Sequence, residues 1–567
     1  MCGFLVLIKS NNREIDKLKI QNVINDLKHR GPDHQAVLQS NSSLFVSTRL
    51  AHRDLRDGAN QPFKDLESRS VIAFNGEIIN DNELRNDLIK KGACFSTHSD
   101  TEVILKGYLQ EGISFFSKLR GMFSFIIWDE FNKRYIVVRD WFGIKPLYHA
   151  MTEFGPVFSS LVKPMKHFLQ ISPNTDRFME YLTFGHIATP HTLFKEIQHF
   201  PKGKIAFINS EFKWDLHELH ICESKLSLDE ILKRNIKGYL QSERQLGVQL
   251  SGGIDSTFIL QESLKYSKKL FSYSVIVPDE ENSEEFYQRQ ALEKFRTHHF
   301  SLMAQSESFF SHIDQTIEHL EFPIHHLANV FFDQLFKKAS QKSKGLLTGE
   351  GGDELFLGYK RYQYDRAFVA NVFSESTDPM IRMQKLFYKL RQVYISPRRI
   401  KMICPELCTE YPERLEVLFQ RDADSFLEGL SSHDLNYGLD SLLIRQDRLG
   451  MAYGLENRPP LICPDLISLN RKLVKSHSIG KIDLKQRLGQ NFNQDFIDRK
   501  KKGFGLPIGT WLRKDQNFKI FENLNRLSFV DNNELDREIK QLKSNDNESS
   551  KYLMRIYLLD RWLKIFF

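Results

Sequence analysis

The spacing of hydrophobic and polar positions divides the chain into two regions of different rhythm. The first is strand-rich and runs to about residue 210. Phe123–Asp129 (F-S-F-I-I-W-D) and Arg134–Asp140 (R-Y-I-V-V-R-D) flank a short polar turn and predict a hairpin. Phe4–Ile8 predicts a buried strand, and Val71–Glu77 (V-I-A-F-N-G-E) a strand running into a turn. Asn80–Gly92 has helical spacing with a glycine stop. Around residues 216–227 the pattern turns polar and irregular, which puts a boundary at 205–228. The second region alternates strand and helix: G-V-Q-L from Gly247, a helix from Thr257 to Tyr266, F-S-Y-S-V-I-V from Phe271, and G-L-L-T from Gly345. That rhythm predicts a parallel sheet with helices on both faces. From about residue 365 onward the chain reads as mainly helical. The division is therefore a first domain at 1–210, a linker at 211–228 and a second domain at 229–567.

Composition narrows the classes of function. At 567 residues the chain exceeds what one core supports, so two to four domains are expected. A net charge of +7 is small for this length and widely spread, and no nucleic-acid partner is expected. The 45 phenylalanines read as core filling rather than as a base-stacking surface. No apolar run reaches the roughly 18 residues that span a bilayer, and the first 25 residues lack the pattern of a secretory signal. Six cysteines without a C-x-x-C pair predict a reduced, cytoplasmic protein with no zinc site and no membrane association.

Three segments carry chemistry. Ser251–Thr257 (S-G-G-I-D-S-T) sits between a predicted strand and a predicted helix. Two glycines let a ligand approach the main chain, and successive N–H groups at a helix start cradle phosphate. Ser251 and Ser256 add hydroxyls, and Asp255 suits the Mg²⁺ that accompanies a nucleotide. The mononucleotide loop G-x-x-x-x-G-K-[ST] is absent. An ordinary glycine turn is the alternative, and the position at the carboxyl end of a strand weighs against it. Thr348–Tyr359 (T-G-E-G-G-D-E-L-F-L-G-Y) again follows an apolar strand, and Asp353 can partner Asp255 around Mg²⁺; an acidic surface turn is the alternative. Arg499–Leu512 joins a basic run to a Gly- and Pro-containing loop, which suits an arm carrying a cation to phosphate more than a solvated face. At the other end of the chain Cys2 follows the start methionine, open to reading as a nucleophile or as an ordinary first-strand residue.

Taken in order, these motifs resemble the glutamine-dependent asparagine synthetase family over most of the chain. The N-terminal part is similar to class II glutamine amidotransferase domains: Cys2-Gly, His29-R-G-P-D, Arg49-Leu, Gly58-A-N-Q-P, Phe74-N-G-E-I-I-N, Ser99-D-T-E and Arg139-D-W-F-G-I-K-P-L-Y. Ser251-G-G-I-D-S, Gly349-E-G-G-D-E-L-F-L-G-Y, Asp447-R-L-G-M-A-Y-G-L-E-N-R and the arm with Lys501 resemble the ATP-dependent half, whose loop is that of the PP-loop ATP pyrophosphatases. The fold so implied is an α+β N-terminal nucleophile domain, an αββα sandwich, followed by an α/β PP-loop domain with a mainly helical C-terminal part.

The resemblance also implies roles. Freed of Met1, Cys2 would use its own α-amine as base and attack the glutamine amide. Asn75 and Gly76 would hold the oxyanion, Arg49 the substrate α-carboxylate, Glu77 and Asp100 its α-ammonium group. In the second half Leu250, Ser251, Gly252, Gly253, Asp255, Ser256, Thr348 and Gly349 would bind ATP, Asp255 and Asp353 would bind Mg²⁺, and Glu350 and Lys501 would act at the reacting acyl and phosphate groups. The substrates implied are glutamine, ATP and aspartate or another carboxylate, activated as an acyl-adenylate and met by ammonia from an internal tunnel. A homodimer through the N-terminal domain is the oligomer the family suggests.

Three segments depart from the family pattern. Glu321-Phe322-Pro323 replaces D-E-P, Pro459-P-L-I-Cys463 replaces V-P-F-L-D, and Leu161 replaces a usual glutamate. They bear on the acceptor pocket and on the contact between domains. Three readings follow: a glutamine-hydrolysing asparagine synthetase, a relative amidating another carboxylate such as a sugar acid of a surface polysaccharide or a peptide side chain, and a non-catalytic or regulatory binding protein of the same fold.

Overall fold

The computed structural model describes residues 2–10, 14–222, 224–278, 284–378, 381–382, 385–386, 395, 397–407, 425–499, 505–544 and 547–567. Strand β1 (Cys2–Ile8) is buried along its whole length because both of its faces are covered. It pairs antiparallel with β3 (Ser43–Arg49) and β9 (Gly155–Ser159); β2 (His34–Gln39), β8 (Tyr148–Thr152) and β10 (Gln198–His199) complete a six-stranded sheet in the order β10-β8-β9-β1-β3-β2. A second six-stranded sheet runs β12-β11-β7-β6-β5-β4, from Trp214–Glu218, Lys204–Ile208, Arg134–Arg139, Gly121–Asp129, Val71–Ile78 and Phe63–Lys64.

The two sheets pack face to face. Phe4, Val6, Ile8 and Phe45 of the first meet Val71, Ala73, Ile126, Val137 and Ala206 of the second. On the outer faces Leu5, Leu7, Leu44 and Val46 pack with Val23 and Leu27 of the helix Lys17–Leu27. Ile72, Phe74, Phe125 and Ile127 pack with Leu84, Leu88 and Val103 of the helices Asp81–Lys90 and Asp100–Glu111. The result is an αββα sandwich. The expected hairpin and the strand over Val71–Glu77 are present. Strand β12 lies within the stretch that the polar pattern reads as linker; its largely exposed, polar sequence W-D-L-H-E carries no hydrophobic period.

The second region holds a five-stranded, all-parallel sheet in the order β15-β14-β13-β16-β17, from His298–Met303, Phe271–Ile276, Leu246–Gln249, Gly345–Leu347 and Glu456–Arg458. Helices dominate the remainder, among them Leu439–Met451 and the last helix, Asn547–Phe566. Strands β15 and β17 carry polar residues in short edge segments, so neither shows the continuous apolar run of a central parallel strand.

Candidate functional site

Strand alternation decides what meets at the end of the sandwich. Phe4, Val6, Phe45, Val71 and Ala73 face the core between the sheets. Counting by two along their strands puts Cys2, Arg49, Asn75 and Glu77 on the same inner face. Cys2 is the cross-strand partner of Arg49. Its thiol is buried, which pushes its pKa up, while Arg49 and the Leu50 N–H work in the opposite direction. Gln61 Nε2 lies 3.3 Å from Cys2 Sγ, and Phe74 N–H donates to Gln61 Oε1 at 2.7 Å.

Next along β5, the Asn75 side chain is fully buried, and neither polar atom of its amide has a hydrogen-bond partner among the described residues. Such an amide is costly to bury unless something else uses it. At Gly76 a Cβ would meet Met122 O at 2.1 Å, so only glycine lets β5 and β6 come this close.

The residues assigned to the glutamine α-groups have protein partners. The Arg49 guanidinium donates to the carbonyls of Arg53, Asp54 and Arg56 and to Asn60 Oδ1 at 2.6–3.3 Å, which shapes the loop beside Cys2. Asp100 Oδ2 accepts from Ile78 N–H at 3.0 Å. Glu77 is paired with Arg458 at 2.8 Å, from the other half of the molecule, and stands 3.9 Å from Arg53. Arg458 also holds Glu456 at 2.9 Å. Burial and the neighbouring Glu456 push Glu77 up, whereas Arg458 and His52 hold Glu456 down against its own burial.

In the second half, strands β13 and β16 are neighbours, and their carboxyl ends carry the two glycine-rich segments side by side. Ser251 Oγ accepts from Gly253 N–H at 3.1 Å and meets Ser256 Oγ at 3.0 Å, a tight loop opening the helix Ile254–Leu264. Gly252 has φ of +78°, and a Cβ there would press on the Gln288 backbone at 2.8 Å. A Cβ on Gly352 would stand 2.5 Å from the Asp255 carboxylate, so that glycine makes room for the acid.

These ends open into a cavity of about 1800 Å³ lined by Leu250, Ser251, Gly253, Asp255, Ser256, Thr348, Gly349, Glu350 and Asp353. The structure thus brings together nearly every residue assigned to the nucleotide. The exceptions are Gly252, which lies in the same loop outside the lining, and Lys501, which lies outside the described residues.

Lys481, Arg445 and His326 at this cavity were not singled out by the sequence, whereas Arg499 opens the basic arm that was. Lys481 reaches between the two acids, pairing with Asp255 and standing 2.7 Å from Asp353 Oδ1. Burial disfavours its charge, yet the two carboxylates hold its pKa above the ordinary lysine value. The two carboxylates that share this ammonium supply the hard oxygen donors that Mg²⁺ takes, so the chemistry of Asp255 and Asp353 is compatible with it. Glu350 accepts from Arg445 and, at 2.7 Å, from Gln446 Nε2. Arg499 lies over the Tyr287 and Phe496 rings, and burial lowers its pKa to about 10. His326 is held neutral, its pKa lowered to about 3 by burial with Arg445 and Arg555 nearby. Lys481 sits in a short polar turn, S-I-G-K, which carries no signal until the fold places it.

The departures lie away from this chemistry. None of Leu161, Phe322, Pro459 and Cys463 lines the cavity. Glu321 bridges the halves: it accepts from Val162 and Lys163 N–H, each at 2.7 Å, and pairs with Arg448 at 2.7 Å. Leu161 is buried immediately before that cap. Cys463 is buried beside Arg234 and Asp465, and Asp465 itself pairs with Arg120 at 2.8 Å across the seam between the halves.

Comparison with known proteins gives two family matches: a glutamine amidotransferase domain over residues 1–215, and asparagine synthase over residues 227–564. A protein of Bacillus subtilis (strain 168), "Asparagine synthetase [glutamine-hydrolyzing] 1", is 27% identical over 91% of this chain and 89% of its own length. A putative asparagine synthetase [glutamine-hydrolyzing] of Mycobacterium tuberculosis (strain ATCC 25618 / H37Rv) is 25% identical over 86% of this chain and 84% of its own. Asparagine synthetase B [glutamine-hydrolyzing] of Escherichia coli (strain K12) is 27% identical over 59% of this chain and 60% of its own.

Proposed function

The chain belongs to the asparagine synthase family, and from that premise we propose that it makes an amide from a carboxylate, using ATP and the ammonia released from glutamine. Cys2 is the nucleophile of the glutamine-hydrolysing half in this reading. Its sulfur attacks the side-chain amide of glutamine, the Asn75 amide and Gly76 N–H receive the negative charge on oxygen, ammonia leaves, and water releases glutamate. Asp100 is the anionic group on hand for the α-ammonium, with Glu77 tied to Arg458 beside it, and Arg49 is the cation for the α-carboxylate. In the other half the Ser251–Ser256 loop holds the phosphates of ATP, and Lys481 and Arg499 balance their charge. Asp255 and Asp353 would hold Mg²⁺, which supplies charge neutralisation on the phosphates when bound. Glu350 and Lys501 belong to the acyl and phosphate ends of the adenylate.

One observation carries this pairing of sites. The helix Leu439–Met451 touches both: Arg445 and Gln446 hold Glu350, while Asp447 grips Arg30 at 2.8 and 3.2 Å. Arg30 Nε in turn donates to the Cys2 carbonyl at 3.4 Å. In this reading one helix ties the ammonia source to its point of use. A route inside protein would carry neutral NH₃ and keep water from the activated carboxylate.

Aspartate is the acceptor this reading puts first, following the names of the relatives. A larger carboxylate is the second reading, since a cavity of about 1800 Å³ admits ATP together with an acceptor of more than one size. The test is a panel of carboxylates with AMP release as readout, on wild type and on Cys2→Ala. Aspartate-dependent AMP release, supported by ammonia but not by glutamine in Cys2→Ala, is the expected result. Glutamine use by Cys2→Ala would remove the nucleophile from the scheme, and silence with every carboxylate would return the chain to a binding role.

A further inference from the structure

Gln61 has no part in the scheme above, yet its amide touches the sulfur that does the chemistry. It is 4% exposed, between the sheet that carries Cys2 and the helix that begins at Asp100. Its orientation is fixed by an argument that needs no hydrogen positions. The Phe74 backbone N–H can only donate, and it points at Gln61 Oε1 at 2.7 Å. The amide nitrogen must therefore face the other way. There it finds two acceptors, Cys2 Sγ and Thr101 Oγ1, each at 3.3 Å, one for each of its N–H bonds. Three separate segments of the chain, around Gly58, Phe74 and Ser99, thus converge on one carboxamide whose free function is to present an N–H to sulfur.

We propose that Gln61 is a further catalytic residue of the glutamine-hydrolysing site, donating a hydrogen bond to Cys2 Sγ that stabilises the thiolate. The proposal rests on the reading of Cys2 as nucleophile. Sulfur carries negative charge twice in the cycle. It does so first when the thiol proton has left for the amine base and the S–C bond forms. It does so again when water has added to the thioester, the S–C bond breaks and the electron pair returns to sulfur. Between those points the C–N bond breaks and the amide nitrogen leaves as NH₃ with the transferred proton. Burial disfavours the thiolate at both points, and a neutral donor offsets this without adding a charge that would have to be buried too.

The experiment measures iodoacetamide alkylation of Cys2 against pH, by peptide mass, with the exposed Cys94 as internal reference. Gln61→Met removes the donor at similar volume. Its Cys2 alkylation midpoint is expected to rise by about one pH unit, with alkylation at neutral pH and glutaminase kcat each falling about tenfold. KM for glutamine should stay within about twofold and ammonia-dependent synthesis should be retained. Gln61→Glu keeps the acceptor for Phe74 N–H and the side-chain shape while replacing the donor with a carboxylate, and is expected to shift the midpoint further. An unshifted alkylation profile in both variants overturns the proposal, whatever happens to activity, because a purely structural tie would change kcat or folding without changing sulfur acidity. Glutamine hydrolysis by Cys2→Ala would instead overturn the reading of Cys2, a separate outcome.

Discussion

The two sites are built in opposite ways. Around Cys2 the supporting groups already have protein partners: Gln61 is held by Phe74, Arg49 by the loop carbonyls and Asp100 by Ile78 N–H, while the Asn75 amide is left without a partner among the described residues. Around Asp255 the charged groups hold one another, with Lys481 between two acids and Arg445 on Glu350. On the proposed reading the first site takes a small zwitterion without net charge, for which groups already fixed by protein partners suffice. A site for a polyanion needs cations whose charge is balanced until phosphate arrives, and an opening large enough to admit it. What joins them is a seam rich in buried ion pairs, and breaking that seam should have the largest effect.

Asp447 is the test. It is 2% exposed and pairs with Arg30, which is fully buried, and with Lys145 at 3.3 Å. Removing one partner leaves two buried cations short of a counter-charge, so Asp447→Ala should cost about 3–5 kcal/mol, read as a fall in denaturation midpoint. Ammonia release and synthesis should also lose their stoichiometry. Stability loss with intact coupling would mean that the helix Leu439–Met451 holds the halves together without fixing one site against the other.

Next in size is the proposed oxyanion site. Asn75→Ala should lower glutaminase kcat by about 10²–10³-fold, with KM little changed. Synthesis from ammonia should continue, because nothing at the cavity touches Asn75. An equal loss with ammonia would show that the two sites are less separate than their construction suggests.

Acid provides a milder perturbation of the seam. Burial opposes the charge on Asp447, but Arg30 and Lys145 outweigh it and hold its pKa below the ordinary carboxylate value. A depressed carboxylate contributes stability that is present above its unfolded value, 3.8, and lost as pH falls through the folded one. The stability difference between wild type and Asp447→Asn should therefore be constant near neutrality and shrink below about pH 4. A difference that persisted unchanged into acid would locate the stabilisation in packing rather than charge.

What could be read from the sequence follows from where the information sits. Asp255 and Asp353 stand in short motifs whose residue types match a chemistry, Cys2 and Asn75 in segments whose roles the family resemblance implies, and the buried strands β1 and β5 are visible in the apolar runs Phe4–Ile8 and Val71–Phe74. Lys481, Arg445 and Gln61 depend on contacts between segments about 40 to 230 residues apart, and no local pattern records such a contact. Glu77 shows the limit from the other side. Its motif points to the substrate ammonium, while the fold gives it Arg458 of the other half, reached only because β17 lies at the seam.

The smallest expected effect bears on the same separation of seam and cavity. Cys463 stands where the family pattern has aspartate, and its surroundings contain what an aspartate would use, Arg234 and, through Asp465, Arg120. The carboxylate is present two positions along, so the arginines are satisfied and the thiol is left neutral, its pKa pushed up to about 11 by burial and by Asp465. Cys463→Ser keeps the volume and offers a hydroxyl that Asp465 can accept from, so the change in stability should stay within about 1.5 kcal/mol. Because Cys463 does not line the cavity, kcat/KM for the carboxylate acceptor should not move. A changed acceptor KM would mean that the seam shapes the acceptor end of the cavity, and that the departures from the family pattern at Phe322, Pro459 and Cys463 act together on substrate choice.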